Sequence, residues 1–176
     1  MHRARGDIMG TAKHKKDAPK KVNIGILSVS STRTMADDKS GLWIGKRAKK
    51  EGHDVVVHRL VPDDAETIAK TVHEIIASGN AQVILLTGGT GISNKDVTIE
   101  AVRPFFTKEM TAFGSIFAQL SFEAIDSAAI LSRATAGLIG NTVLFCIPGS
   151  LKACKLACKT LIFPELGHLV KHVQEG

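Results

Sequence analysis

The residues best suited to chemistry lie in TGGTGISNKD, residues 87–96. Glycine at 88, 89 and 91 lets backbone N–H groups approach a ligand closely and adopts left-handed conformations at little cost. Successive N–H groups form a concave anion site, and the hydroxyls of Thr87 and Thr90 add donors. A helix starting near Val97 turns its positive end toward the same place. Phosphate is the anion that such a cup suits. Asp96 is at odds with this, since a carboxylate repels phosphate unless a cation lies between them. Mg2+ bridging a carboxylate and phosphate oxygens removes the conflict. The competing reading is that Asp96 or Thr98 caps the helix.

Other polar segments invite similar questions. In VPDD (61–64), Asp63 with Glu66 three residues later has the pattern of an N-cap and its reciprocal partner. The alternative is a second metal-directed carboxylate facing Asp96. In DDKSG (37–41), Asp37, Asp38 and Ser40 can cap a helix or contact a polar ring or sugar. IPGS (147–150) places Ser150 as an N-cap, and a helix start after Pro-Gly is a second anion site. Ser132 and Arg133, read as the end of a strand, offer a hydroxyl and a guanidinium that suit phosphate. No Cys, His or Lys is placed to form a covalent intermediate. The set points to phosphoryl or nucleotidyl transfer by positioning and metal charge. Two familiar nucleotide signatures are absent. GGTGIS does not complete G-x-G-x-x-G, and GLWIGKR (41–47) is one residue short of a Walker A loop, with Arg47 in place of Ser or Thr.

These loops need elements to position them, and the chain supplies an alternation. VNIGILSV (22–29), DVVVHRLV (54–61) and AQVILLTG (81–88) read as strands, the third wholly apolar. GLWIGKRAKKEG (41–52) is helical and stops at Gly52. A second helix opens at Pro62-Asp63-Asp64, with Ile68, Ala69, Val72, Ile75 and Ile76 on the 3.6-residue period. The order β-α-β-α-β with short loops implies a parallel sheet with helices on both faces. TIEAVRPFF starts a helix that Pro104 ends or kinks, and EMTAFGSIFAQLSFEAI supplies one or two more. SAAILSRA (127–134) and NTVLFCIPG (141–149) read as two further strands joined by a Gly-containing turn. SLKACKLACKTLIF (150–163) is an amphipathic helix, and PELGHLVKHVQ closes the chain helically. The loops 30–41, 61–64, 87–96 and 147–150 all follow strands, so a parallel sheet collects them at one edge, where such folds bind ligands.

Composition narrows the class. The 176 residues favour a single domain at 22–176. The formal charge of +6 resides mostly in residues 1–21, which hold seven Lys/Arg against two Asp/Glu. That segment reads as a disordered basic tail with no aromatic platform or reading helix, so no specific nucleic-acid role follows. No apolar run is long enough to span a membrane, no signal-peptide core is present, and the expected location is the cytoplasm. Cys146, Cys154 and Cys158 are an odd number, which argues against a disulfide framework. Cys154 and Cys158 are four apart, as are His168 and His172, but neither pair has zinc-knuckle spacing. They read as buried thiols and solvent-facing imidazoles.

TGGTGISNKDVTIEA, followed in order by AFG, LSRATAG, IPGS and PELGH, resembles the MoaB/MogA family of molybdenum cofactor biosynthesis, which is related to the G and E domains of gephyrin. The resemblance runs from about Val22 to the C-terminus. It implies a three-layer α/β/α fold with a mostly parallel sheet, and a homotrimer or homohexamer. The activity implied is a MgATP-dependent molybdopterin adenylyltransferase that releases pyrophosphate and hands its product to a molybdate-insertion protein. A non-catalytic molybdopterin-binding or scaffolding relative is the alternative. By position, Asp63 and Asp96 match the family's two functional aspartates, which would hold Mg2+. Asp38, Ser40, Gly41, Thr87, Gly88, Gly89, Thr90, Gly91, Thr98, Ser132, Arg133, Pro148, Gly149 and Ser150 match its substrate-binding segments. The chain departs from the pattern at Ser115, where an acidic residue is usual, at Ala118, where a basic one is common, at Leu151, where proline is usual, and at Asp126, where glycine is common.

Overall fold

The computed structural model describes residues 18–175. Of the segment read as a basic tail, residues 1–17 lie outside this range. Ala18 and Pro19 lie against the C-terminal helix, where a Cβ on Gly167 would come within 2.5 Å of the Pro19 carbonyl oxygen.

Six strands form one sheet in the order β2-β1-β3-β6-β5-β4. β1 (Asn23–Val29), β2 (Asp54–Val61), β3 (Val83–Thr87) and β6 (Thr142–Ile147) run parallel. β5 (Thr135–Ile139) and the two-residue β4 (Lys108–Glu109) add an antiparallel edge. β1, β3 and β6 are buried on both faces, β2 at the end of the sheet is half-exposed, and side chains sort with period two. Ile24, Ile26, Val83, Leu85, Val143, Phe145 and Ile147 join one core with Ile44 of α1 (Lys39–Lys50), Phe113 and Phe117 of α4 (Thr111–Ile125), Cys154 of α5 (Leu151–Ala157), and Leu166 and Val170 of α6 (Leu166–Glu175). Leu27, Val29, Ile84, Leu86, Leu144 and Cys146 join another with Ile68, Val72 and Ile75 of α2 (Ala65–Ala77) and Ile99 and Val102 of α3 (Thr98–Val102). The result is the expected three-layer α/β/α single domain. Burying a side chain such as Leu85 contributes about 1.5–3 kcal/mol. Among the described residues no helix is long and apolar enough to cross a membrane.

The sheet departs from the sequence reading along its antiparallel edge, where Glu109, read as the start of a helical segment, belongs with Lys108 to β4. Residues 127–134, read as a strand, instead form a 3₁₀ turn over Asp126–Leu131 followed by an extended link. Ile130 is 84% exposed, so this apolar run does not point into the sheet. The strand is the next segment, TAGLI, because it pairs with β6 through a two-residue turn in which Ile139 opposes Thr142. Gly140, at φ 56°, supplies the positive φ that the first position of such a hairpin turn demands. Ser132 and Arg133 therefore precede their strand rather than end it. α4 stops at Asp126, whose φ of 56° and ψ of −147° are a glycine-like conformation held by a side chain that accepts from the Ser127 N–H at 2.8 Å. The segment read as one helix over 150–163 is α5 followed by a wider π-helical turn at Cys158–Ile162, and Pro164 then separates it from α6.

Candidate functional site

The loops after β1, β2, β3 and β6 meet at the carboxyl edge of the parallel strands, and short polar bonds tie each to another. The Ser31 N–H donates to Asp63 Oδ2 at 2.7 Å, while Ser31 Oγ accepts from the Asp63 N–H at 3.0 Å. Ser40 Oγ donates to the Gly149 carbonyl at 2.9 Å, and Arg33 reaches the same oxygen at 3.4 Å. Thr87 Oγ1 donates to the Pro148 carbonyl at 3.2 Å, and the Gly88 N–H donates to the Ile147 carbonyl at 3.1 Å.

Loop 87–91 is shaped by what it excludes. At Gly88, φ is 103°, and a Cβ would sit 2.3 Å from the Val29 carbonyl oxygen. At Gly89, φ is 61°, and a Cβ would sit 2.4 Å from Thr98 Oγ1 and 3.4 Å from Asp63 Oδ1. Only glycine meets both conditions. Thr98 anchors the loop from below: its N–H donates to the Gly89 carbonyl at 2.9 Å and its hydroxyl to the Gly88 carbonyl at 2.8 Å. Arg133 closes the other side, with Nε donating to the carbonyls of Thr90 at 3.1 Å and Gly91 at 2.9 Å, and with its other nitrogens paired to Glu100. The loop's carbonyls are thus drawn back into the protein. The Thr87 hydroxyl, counted above as a ligand donor, is buried and spent on Pro148. Thr90 fits a ligand better, because its Oγ1 is buried with no hydrogen-bond partner among the described residues.

The two aspartates flank this loop. Asp63 faces Gly89, and Asp96 lies against Gly91, whose Cβ would be 2.8 Å from Asp96 Oδ2. The capping role goes elsewhere. Asp64, not Asp63, caps α2, accepting from the Thr67 N–H at 2.8 Å, and α3 begins without a side-chain cap. Asp96 Oδ2 accepts from the Ser93 hydroxyl at 2.6 Å and the Ser93 N–H at 2.8 Å. The Ser93 hydroxyl, aided by backbone N–H groups and by Arg133, outweighs partial burial and holds the Asp96 carboxyl below the usual carboxylate range. Among the described residues no three His, Cys, Asp or Glu side chains gather around one point. A cation here would be held by the aspartates together with oxygens of a bound phosphate, which suits Mg2+.

Asp38 has a different role. It is fully buried and caps α1, accepting from the Gly41 N–H at 2.9 Å. Its Oδ2 meets His58 Nε2 at 2.9 Å and receives the Ser28 hydroxyl. Burial would raise its pKa, but the bonds to His58, Ser28 and Gly41 outweigh that and hold it low. Gly41 is tightly enclosed here, since a Cβ would lie 2.1 Å from Asp38 Oδ2 and 2.5 Å from His58 Nε2. Ser150 caps α5, accepting from the Ala153 N–H at 3.2 Å. Ser132 and Ser150 also line a cleft of about 510 Å³ that continues past Lys152, Lys155, Lys159, Leu156 and Ile125. A smaller cavity of about 350 Å³, lined by Arg33, Asp37, Lys39, Ser40 and Leu151, adjoins it at Ser150. Of the departures from the family pattern, Leu151 lines that cavity, whereas Ser115 and Ala118 are exposed on α4.

The sequence reading missed Glu100, His58 and Arg33. His58 had a signal, an imidazole directly after the apolar run Val55–Val57 of its strand. Glu100 and Arg33 had none, because their partners lie 33 and 116 residues away.

The fold and its loops define a class: a three-layer α/β protein whose polar loops gather at the carboxyl edge of a mostly parallel sheet, where such folds bind ligands. More particularly, the chain belongs to the family described as probable molybdopterin binding domain, which matches residues 25–168. It is 43% identical over 168 residues to molybdenum cofactor biosynthesis protein B of Bacillus subtilis, covering 95% of this chain and 99% of the relative. It is 40% identical over 173 residues to a molybdopterin adenylyltransferase of Pyrococcus furiosus, covering 95% of this chain and 100% of the relative. A crystal structure of molybdenum cofactor biosynthesis protein B superposes with a TM-score of 0.87 at 43% identity, covering 90% of this chain and 99% of that one.

Proposed function

We propose that the chain transfers AMP from MgATP to molybdopterin. A phosphate oxygen of molybdopterin attacks the α-phosphorus of ATP, the bond from that phosphorus to the bridging oxygen breaks, and pyrophosphate leaves. The observation that carries this reading is the loop 87–91, closed to any Cβ at Gly88 and Gly89 and flanked by Asp63 and Asp96. Its N–H groups would hold the triphosphate, with the Thr90 hydroxyl as a further donor. Arg133 keeps the loop carbonyls turned away from the anion. Mg2+, when bound between the aspartates and the phosphates, supplies the positive charge that offsets the charge on the departing pyrophosphate. The pterin would occupy the cleft beyond Ser132 and Ser150, whose lysines suit its phosphate.

The test is pyrophosphate release from MgATP with molybdopterin. Asp96→Asn is expected to slow release by about 10²–10³-fold, the cost typical of removing one electrostatic stabiliser. An unchanged rate would remove the metal role assigned to Asp96. The uncharged Ser115 and Ala118 favour a second reading, a molybdopterin-binding scaffold, and molybdopterin binding without turnover would select it. Handing of the product to a molybdate-insertion protein is part of the first reading.

We also propose a homo-oligomer. Phe122, Ile125, Ile130 and Leu131 are exposed along α4 and the turn that follows it, at 58%, 48%, 84% and 54%. Large apolar side chains left exposed together in one stretch of chain suit an association surface.

A further inference from the structure

His168 and His172 are one turn apart on α6, outside the site described above. Their Nε2 atoms approach to 2.9 Å, with ring centroids 4.6 Å apart and the planes inclined at 58°. Behind His168, Glu165 Oε2 lies 3.1 Å from Nδ1. That carboxylate takes the Nδ1 proton as a hydrogen bond and so leaves the Nε2 lone pair of His168 facing His172. A carboxylate behind an imidazole whose far nitrogen points outward is the arrangement that orients metal-ligating histidines. We propose that His168 and His172 chelate a divalent transition-metal ion through their two Nε2 atoms, with Glu165 fixing the His168 ring.

Two imidazole nitrogens one helical turn apart suit Ni2+, Cu2+ or Zn2+. Without metal, the imidazole–imidazole approach is a hydrogen bond in which His172 Nε2 donates to His168 Nε2. Among the described residues no third His, Cys, Asp or Glu converges on the pair. Water would complete the coordination sphere, so the affinity is that of a two-imidazole chelate. His172 is exposed, so the ion has direct access from solvent. Because α6 is anchored in the core by Leu166 and Val170, the chelate forms on a helix already in place.

Ni2+ is the probe for the test, added to the full chain and followed by calorimetry and thermal unfolding. One equivalent is expected to bind and to raise the unfolding temperature, since the ion binds the folded helix and not the open chain. His172→Gln, a substitution at an exposed position, should weaken binding at least tenfold and cancel the thermal shift. His168→Ala with His172→Ala should do the same. Glu165→Gln should weaken binding about tenfold while leaving both ligands in place. Asp96→Asn should leave Ni2+ binding unchanged, which separates this site from the one at the sheet edge. The proposal is overturned if His172→Gln binds Ni2+ as the unmodified chain does, or if the unmodified chain binds none. In either case the pair is a hydrogen bond and nothing more.

Discussion

The parallel strands β2, β1, β3 and β6 and the antiparallel edge β5–β4 belong to one sheet but spend their residues differently. The parallel half buries both faces of β1, β3 and β6 and sends the loops that follow its strands to one edge, where glycines are locked by neighbours. The antiparallel edge turns tightly at Gly140, where a Cβ would meet nothing within 4 Å, and the chain feeding it leaves Ile130 and Leu131 exposed. Two glycines with positive φ thus differ in what surrounds them. At Gly88 the constraint is conformation and collision together, and at Gly140 it is conformation alone. The lesson is that a positive φ alone does not mark a ligand loop: at Gly88 backbone also takes the place of the missing side chain, and at Gly140 nothing does.

That contrast can be broken by substitution. Gly88→Ala adds the Val29 collision to an unfavourable φ, and it should cost about 3 kcal/mol or more and abolish nucleotide binding. Gly140→Ala carries only the conformational cost, about 1 kcal/mol, and should bind nucleotide normally. Chemical denaturation and ATP titration read both, and equal costs would erase the distinction. At the antiparallel edge, Ile130→Asp should leave the monomer fold intact and shift the assembly toward monomer, which light scattering after size exclusion would report. Asp126→Gly relieves a non-glycine residue in a glycine conformation, so it should stabilise by about 1 kcal/mol in the same denaturation assay.

The smallest effect is one of pH. Burial of His53, in the turn between α1 and β2, where it stacks on Phe163 with ring centroids 6.1 Å apart, lowers its pKa from the ordinary 6.5. The unfolded chain then binds a proton that the native state resists. Stability should fall as pH drops below about 6.5 and level off once pH passes below the native pKa. His53→Phe should flatten that part of the curve, and an unchanged slope would show that another group titrates there.

The parallel half was legible because largely apolar strands, short loops and terminal glycines all point to one topology. The antiparallel edge was not, because SAAIL is as apolar as a strand and only its partner shows that TAGLI is the one that pairs. Asp63 and Asp64 are adjacent and chemically identical, so no local pattern could say which caps α2. Thr67 decides it by hydrogen-bonding Asp64, and Ser31, 32 residues from Asp63 in sequence, holds the other. Arg133 was recognised as unusual, but the carbonyls of Thr90 and Gly91 that occupy it could not be inferred from spacing.

The three cysteines divide between the two faces of the sheet. Cys146 packs with α2 and α3, while Cys154 and Cys158 pack on the opposite face. Burial pushes the Cys146 thiol up to about 12 and raises the other two as well, so none presents a thiolate while the fold is closed. Alkylation by an added thiol reagent must wait for an opening event. Mass spectrometry of the labelled peptides would then time the fraying of each helical layer separately, in the native sequence and without an introduced probe.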